Sequence, residues 1–208
     1  MVSPRSCRRT TPSATIAADR SQRSFGLSLD QFLAKRGAST IVARGRSLKQ
    51  SQGALFASIQ QRYGVPPGPL IAIWGMETGF GSQRGNQNML SSIATLAYDC
   101  RRPEFFSEQL YAALKLIDRG VLSAATRGSM HGEVGQTQFM PKNILAYGTG
   151  NLDVAANALN STANFFARPW LARRRRLPAG RSQFRRDPGL ERRASLSARH
   201  CADRPPDL

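Results

Sequence analysis

The stretch "WGMETGFG" (residues 74–81) decides how the chain folds and poses its first chemical question. It follows the apolar residues Leu70, Ile71, Ala72 and Ile73, so Glu77 ends a run that belongs in a protein interior. Pro66, Pro67 and Pro69 stand before the run and Gly79 after it, which predicts a short, largely buried helix over 69–77. A carboxyl at the end of such a helix, facing a cleft, loses solvation. Its pKa then rises, which suits a general acid. The alternative is a helix-terminal glutamate that only meets solvent.

Outward from this helix, every strong pattern is helical. Residues 29–62 read as helical, with Leu29, Phe32, Leu33, Leu48, Leu55, Phe56 and Ile59 at suitable spacing. "GFGSQRGNQN" (79–88) is a polar glycine loop, and 90–99 returns to helix through Leu90, Ile93, Leu96 and Ala97. Pro103 and Glu104 open a helix whose expected stripe is Phe106, Leu110, Ala113, Leu114 and Ile117, ended by Gly120. "TRGSMHGEVGQTQFMPKN" (126–143) is a loop or broken helix. A last helix, expected to be capped by Asp153, carries Val154, Leu159, Ala163 and Phe166. No window alternates with period two. The fold class is all-α.

Composition bounds the rest. The chain has 208 residues, 40% of them hydrophobic, enough for one domain with a core. No apolar run is long enough to span a membrane, and no signal peptide is visible. Cys7, Cys100 and Cys201 are odd in number and far apart, so Cys100 reads as a half-buried thiol and no disulfide framework or metal site is expected. The net charge of +17 sits mainly at the ends: +4 in residues 1–24 and +8 in 168–208, leaving +5 for 25–167. That distribution suits an anionic polymer better than it argues for nucleic acid. Residues 1–24 read as a partly disordered basic segment, 25–167 as the domain, and 168–208 as a disordered Arg/Pro-rich tail.

A second constellation is "GEVGQTQFMP" (132–141), where Gln136, Thr137 and Gln138 offer the donors and acceptors that sugar recognition uses. A polar, helix-capping loop is the alternative. "WGMETGFG", then "ATLAYDCRRPEFF" (94–106), then "GQTQFMP" (135–141) resemble, in order and spacing, the lytic murein transglycosylases of the membrane-bound lytic transglycosylase B group. "ADRSQRSFGLSLDQFL" (18–33) adds to the resemblance, which covers roughly residues 11–166.

The resemblance implies a lysozyme-like helical domain acting on periplasmic peptidoglycan strands as a monomer without a cofactor. It implies that Glu77 protonates the bond between N-acetylmuramic acid and N-acetylglucosamine. Glu77 then serves as base for the muramyl 6-hydroxyl, giving a 1,6-anhydro product. It implies that Ser129 and Gln138 contact the sugars, with Gln136 and Tyr147 as further binding positions. Thr78 is expected to shape the helix end, and His131 to hydrogen-bond within its loop.

Departures from the family set the competing readings. Glu133 stands where the family has a small apolar residue, and a surface position is expected. A second cleft carboxylate, Glu133 or Asp99, would instead allow a hydrolytic muramidase. "YGTGNLD" (147–153) has one carboxylate, Asp153, where relatives carry a calcium loop, so no metal is expected. The family's ending is missing. Both "LPAG" (177–180) and "FRRDPGLER" (184–192) can be encoded so that a reading one nucleotide later restores family-like text, which points to a frameshifted ending from near Phe166. A non-catalytic peptidoglycan binder follows if that change disables the cleft. Nucleic-acid binding through the arginines is the remaining reading.

Overall fold

A computed structural model describes residues 12–21 and 26–174. Among these the order is α1 (Pro12–Arg20), α2 (Leu29–Lys35), α3 (Ala38–Ser51), α4 (Gly53–Tyr63), α5 (Pro67–Thr78), β1 (Gln87–Asn88), α6 (Met89–Tyr98), α7 (Pro103–Asp118), β2 (Arg127–Gly128), α8 (Pro141–Tyr147) and α9 (Ala155–Arg174). The all-α expectation holds. The one sheet is a two-residue antiparallel pair, Gln87 opposite Gly128 and Asn88 opposite Arg127, which ties the loop after α5 to the loop before α8.

Local chemistry sets the boundaries. Ser28 and Gln31 form a reciprocal capping box that starts α2. The helical region expected over 29–62 is three helices, broken where Gly37 turns left-handed (φ 65°) and again at Gln52. Asn88 caps α6 by accepting from the Ser91 N–H. Asp153 does not cap α9 as expected: its carboxylate pairs with Arg84 at 2.9 Å. Helix α9 also continues seven residues past the expected boundary at 167. The rest of the expected tail lies outside the described residues.

Two apolar clusters fill the molecule. The first joins α4, α5 and α9 through Phe56, Ile59, Leu70, Ile71, Trp74, Leu159 and Ala163, with Val65 and Phe80 beside α5. The second joins α6, α7 and α8 to the loops on either side of α8 through Met89, Ile93, Ala113, Leu116, Val134, Phe139, Ile144 and Leu152. Each fully buried aliphatic side chain contributes about 1.5–3 kcal/mol. Helix α9 serves both, since Phe165 stacks edge-on against Phe139 and Tyr147 of the second cluster. The buried stripe of α7 is rotated from the expected one. Gln109 and Leu116 face inward and Leu114 is exposed, because the Gln109 side chain accepts the Lys142 N–H that opens α8.

Helix α1 falls inside the segment expected to be partly disordered, yet it docks on the domain. Its Asp19 is buried and bound by Arg101 and Arg102, while Arg20 pairs with buried Asp99 at 2.6 Å. Cys100, expected as a free thiol, is disulfide-bonded, and its partner lies outside the described residues. Among the described residues no helix is long and apolar enough to cross a membrane.

Candidate active site

The recess that holds Glu77 is built by α5. Trp74, Gly75 and Thr78 face inward, and Glu77, three residues after Trp74, comes to the helix edge at the mouth of a recess of about 200 Å³. Gly75 is needed for the close approach of α3: a Cβ there would lie 2.4 Å from Ile41 Cγ2 and 2.9 Å from the Phe80 ring. The chain leaves the helix through two left-handed residues, Gly79 (φ 55°) and Phe80 (φ 61°). For Phe80 that conformation is strained, and burial of its ring edge-on to Trp74 at 5.3 Å offsets the strain.

The opposite wall is a tight hairpin. Val134 and Phe139 exchange two backbone hydrogen bonds of 2.9 Å, which puts Gln136, Thr137 and Gln138 at the tip. Gln138 lines the recess with Glu77. Its backbone is left-handed (φ 53°), and its amide nitrogen donates to the Gly135 carbonyl at 2.8 Å and to the Arg84 carbonyl at 3.3 Å. The hairpin is bolted to α5 twice. Trp74 Nε1 donates to Gln136 Oε1 at 2.8 Å, and Thr78 Oγ1 donates to the Gln136 carbonyl at 2.6 Å. Thr78 also accepts the Gly81 N–H, so it shapes the helix end as expected. Gln136 donates onward to the Asp153 carbonyl at 2.6 Å. Its amide thus ties the hairpin to α5 at one end and to the loop before α9 at the other.

Ser129 and Glu133 form the next turn of this wall. Ser129 Oγ donates to Glu133 Oε2 at 2.9 Å and accepts the backbone N–H groups of His131 and Glu133. Glu133 is half-buried and acts electrostatically on Glu77, which corrects the surface position expected for it. Asp99 is not a partner for Glu77: it is held by Arg20 beside α1. Tyr147 stands one layer away. It packs on Phe165, and Phe165 lines the recess. His131 hydrogen-bonds within its loop through its backbone N–H, whereas its ring Nε2 has no hydrogen-bond partner among the described residues.

Glu77 is open to solvent, and no described residue hydrogen-bonds its carboxylate. Its pKa is nevertheless raised above 4.5. Neighbouring protein displaces water from it, the Glu133 charge adds to the rise, and Arg36 opposes it. Sequence reasoning missed Arg36, which reaches this helix end by donating to the Met76 carbonyl. It also missed Asn143 and Phe165, which line the recess. Asparagine and paired aromatics in a helix also serve caps and cores, so no signal singled them out.

The chain is similar to known proteins over most of its length. Residues 6–183 match the model of the transglycosylase SLT domain. The chain is 35% identical over 121 residues to membrane-bound lytic murein transglycosylase B of Escherichia coli (strain K12), covering 53% of this chain and 34% of that protein. It therefore spans about a third of that relative's length. SltB3 of Pseudomonas aeruginosa, solved in complex with NAG-NAM-pentapeptide, superposes with a TM-score of 0.69 at 36% identity, over 75% of this chain and 44% of that one. Slt35 of Escherichia coli, solved in complex with calcium, gives 0.62 at 25% identity, over 75% of this chain and 53% of that one. The residues here do not fit a calcium loop: Asp153 is the only carboxylate of 147–153 and is paired with Arg84. A match over most of the chain, with lytic transglycosylases as structural neighbours, makes it a member of the transglycosylase SLT domain family, with that family's lysozyme-like helical fold.

Proposed function

We propose that the chain is a lytic murein transglycosylase that cleaves the MurNAc–GlcNAc bond of peptidoglycan in the periplasm. The observation that carries this reading is Glu77: solvent-open at a recess, unpaired among the described residues, with its pKa raised above the ordinary value of 4.5. Protonated Glu77 donates to the glycosidic oxygen as the C1–O bond breaks. The carboxylate so formed takes the proton of the muramyl 6-hydroxyl as that oxygen bonds C1, and the 1,6-anhydro ring closes without water. Glu77 ends the cycle protonated. Gln138, on the facing wall, is suited to orient an N-acetyl or hydroxyl group with its amide.

One observation favours a second reading. Glu133 places another carboxylate within electrostatic reach of Glu77, and a hydrolase would use it to activate water. Mass spectrometry of fragments from purified sacculi separates the two. The transglycosylase gives anhydromuramyl ends, lost about 10²–10⁴-fold in Glu77→Gln and retained in Glu133→Gln. Fragments one water heavier, lost in both variants, would establish the hydrolase. Sacculus binding with no fragments from the unaltered chain would overturn both and leave a peptidoglycan-binding domain.

A further inference from the structure

Helix α1 is remote from the cleft in sequence but reaches the turn that carries Glu133. The link is His131, whose two ends serve different groups. Its ring points at α1: Nε2 lies 3.7 Å from Asp19 Oδ1, in a buried place where the described residues give it no hydrogen bond. Its backbone N–H points the other way and donates to Ser129 Oγ at 3.1 Å, and Ser129 Oγ in turn donates to Glu133 Oε2. The turn is closed by Ser129 N–H to the Glu133 carbonyl at 2.9 Å and by Gly132 N–H to the Ser129 carbonyl at 3.1 Å.

The turn also has no freedom on its other side. Gly132 is left-handed (φ 86°) and presses on α6 so closely that a Cβ would lie 2.2 Å from Ile93 Cγ1. Asp19 is fixed in its turn, 1% exposed and bound by Arg101 and Arg102. The Ser129–Glu133 turn is therefore gripped between α6 and an anchored aspartate.

We propose that Asp19 and His131 are positioning residues for the cleft, a clamp through which helix α1 sets where the Glu133 carboxylate stands. The inference rests on the reading of Glu77 as the acid, and it adds a route by which a distant helix tunes that acid. The 3.7 Å separation is longer than a hydrogen bond, so the clamp acts through packing and not through a shared proton. The charged groups acting on Glu77 are Glu133 and Arg36, and those around His131 are Asp19 with its partners Arg101 and Arg102. When the clamp is released, the turn loosens, Glu133 moves from Glu77, and only one of the two causes that raise the Glu77 pKa keeps its full strength.

The test follows the Glu77 carboxyl carbon by NMR in the full chain labelled with ¹³C-glutamate, its signal assigned by its loss in Glu77→Gln. In His131→Ala the Glu77 titration moves to lower pH, in the same direction as in Glu133→Gln, and His131→Gln restores part of the shift. On sacculi, kcat at pH 7 falls severalfold in His131→Ala, with KM within about twofold. Asp19→Asn gives the same direction, while His131→Ala keeps the test open should loss of that buried charge prevent folding. A Glu77 titration unmoved in His131→Ala, with melting temperature lowered, would overturn the proposal and leave His131 a packing residue. The NMR readout needs no turnover. A shifted titration in a chain that releases no fragments supports the clamp while the reaction assigned to Glu77 falls.

Discussion

Helix α5 and the 129–138 loop face each other across one recess, yet they are held by different forces. The helix is placed by burial: Leu70, Ile71 and Trp74 lie in the first apolar cluster, and Gly75 lets α3 come close. The loop is placed by directed bonds: the Ser129–Glu133 turn, the Val134–Phe139 pair and the bracing amide of Gln136. Apolar packing is tolerant of exact side-chain identity and fixes a helix as a rigid body. Hydrogen bonds fix direction, which a side chain needs if it is to meet one atom of a substrate. Glu77, the proposed acid, stands on the first kind of wall, and Glu133 and Gln138 stand on the second.

The largest expected effect tests the packed wall. Leu70→Ala removes a fully buried side chain from the first cluster and should cost about 2–5 kcal/mol in thermal or denaturant unfolding. Because α5 carries Glu77 as part of a rigid body, the folded fraction should keep a near-native KM. A KM that rises with the loss of stability would show that the helix is not the rigid element described.

Thr78→Val tests the joint between the walls. The shape is kept and the hydroxyl is lost, so the Gln136 carbonyl and the Gly81 N–H each lose a partner in a buried place. The cost should be about 1–3 kcal/mol. Here kcat should fall together with stability, since the hairpin tip bearing Gln138 is no longer bolted to the helix bearing Glu77. Unchanged kcat would mean that the Trp74–Gln136 bond alone holds the two walls in register.

Glu133→Gln probes charge with little change of shape, and its effect should be smaller still. With that carboxylate neutral, one of the causes raising the Glu77 pKa is gone, so the alkaline limb of the pH–rate profile should move to lower pH. A limb that stays in place would assign the raised pKa to desolvation alone.

How much of this was legible follows from the same contrast. Helix α5 could be read because burial leaves a one-dimensional trace: an apolar run with prolines ahead and a glycine behind. Glu77 could be singled out because it interrupts that trace. The loop wall left less. Gln136 and Gln138 are the same residue type two positions apart, and only the hairpin's geometry makes one a brace and the other a lining of the recess. Glu133 reads as a solvated charge until the turn folds it toward the cleft. Asp19 is further from view, because its partners Arg101 and Arg102 lie more than eighty residues on. The buried stripe of α7 lies one position from the expected one, because the inward place of Gln109 depends on a backbone donor from α8.

The smallest effect expected is on stability, and its sign separates the acid from the wall that carries it. The folded state holds the Glu77 proton more tightly than the unfolded chain, whose value is near 4.5. Between that value and the raised one, the native state binds more protons, so this group's contribution to stability falls as pH rises. Above the raised value the native state bears the full cost of an ionised carboxylate that is partly desolvated and faces Glu133. Below about 4.5 both states are protonated and the cost is absent. Glu77→Gln, neutral at every pH, should therefore be more stable than the unaltered chain at neutral pH, and the advantage should vanish as pH drops toward 4.5. Paired melting curves across that range measure the difference directly. Such a difference would be the stability cost of the site proposed at Glu77. A variant equally stable at both ends of the range would mean that the helix wall holds Glu77 without strain, and that the raised pKa has another origin.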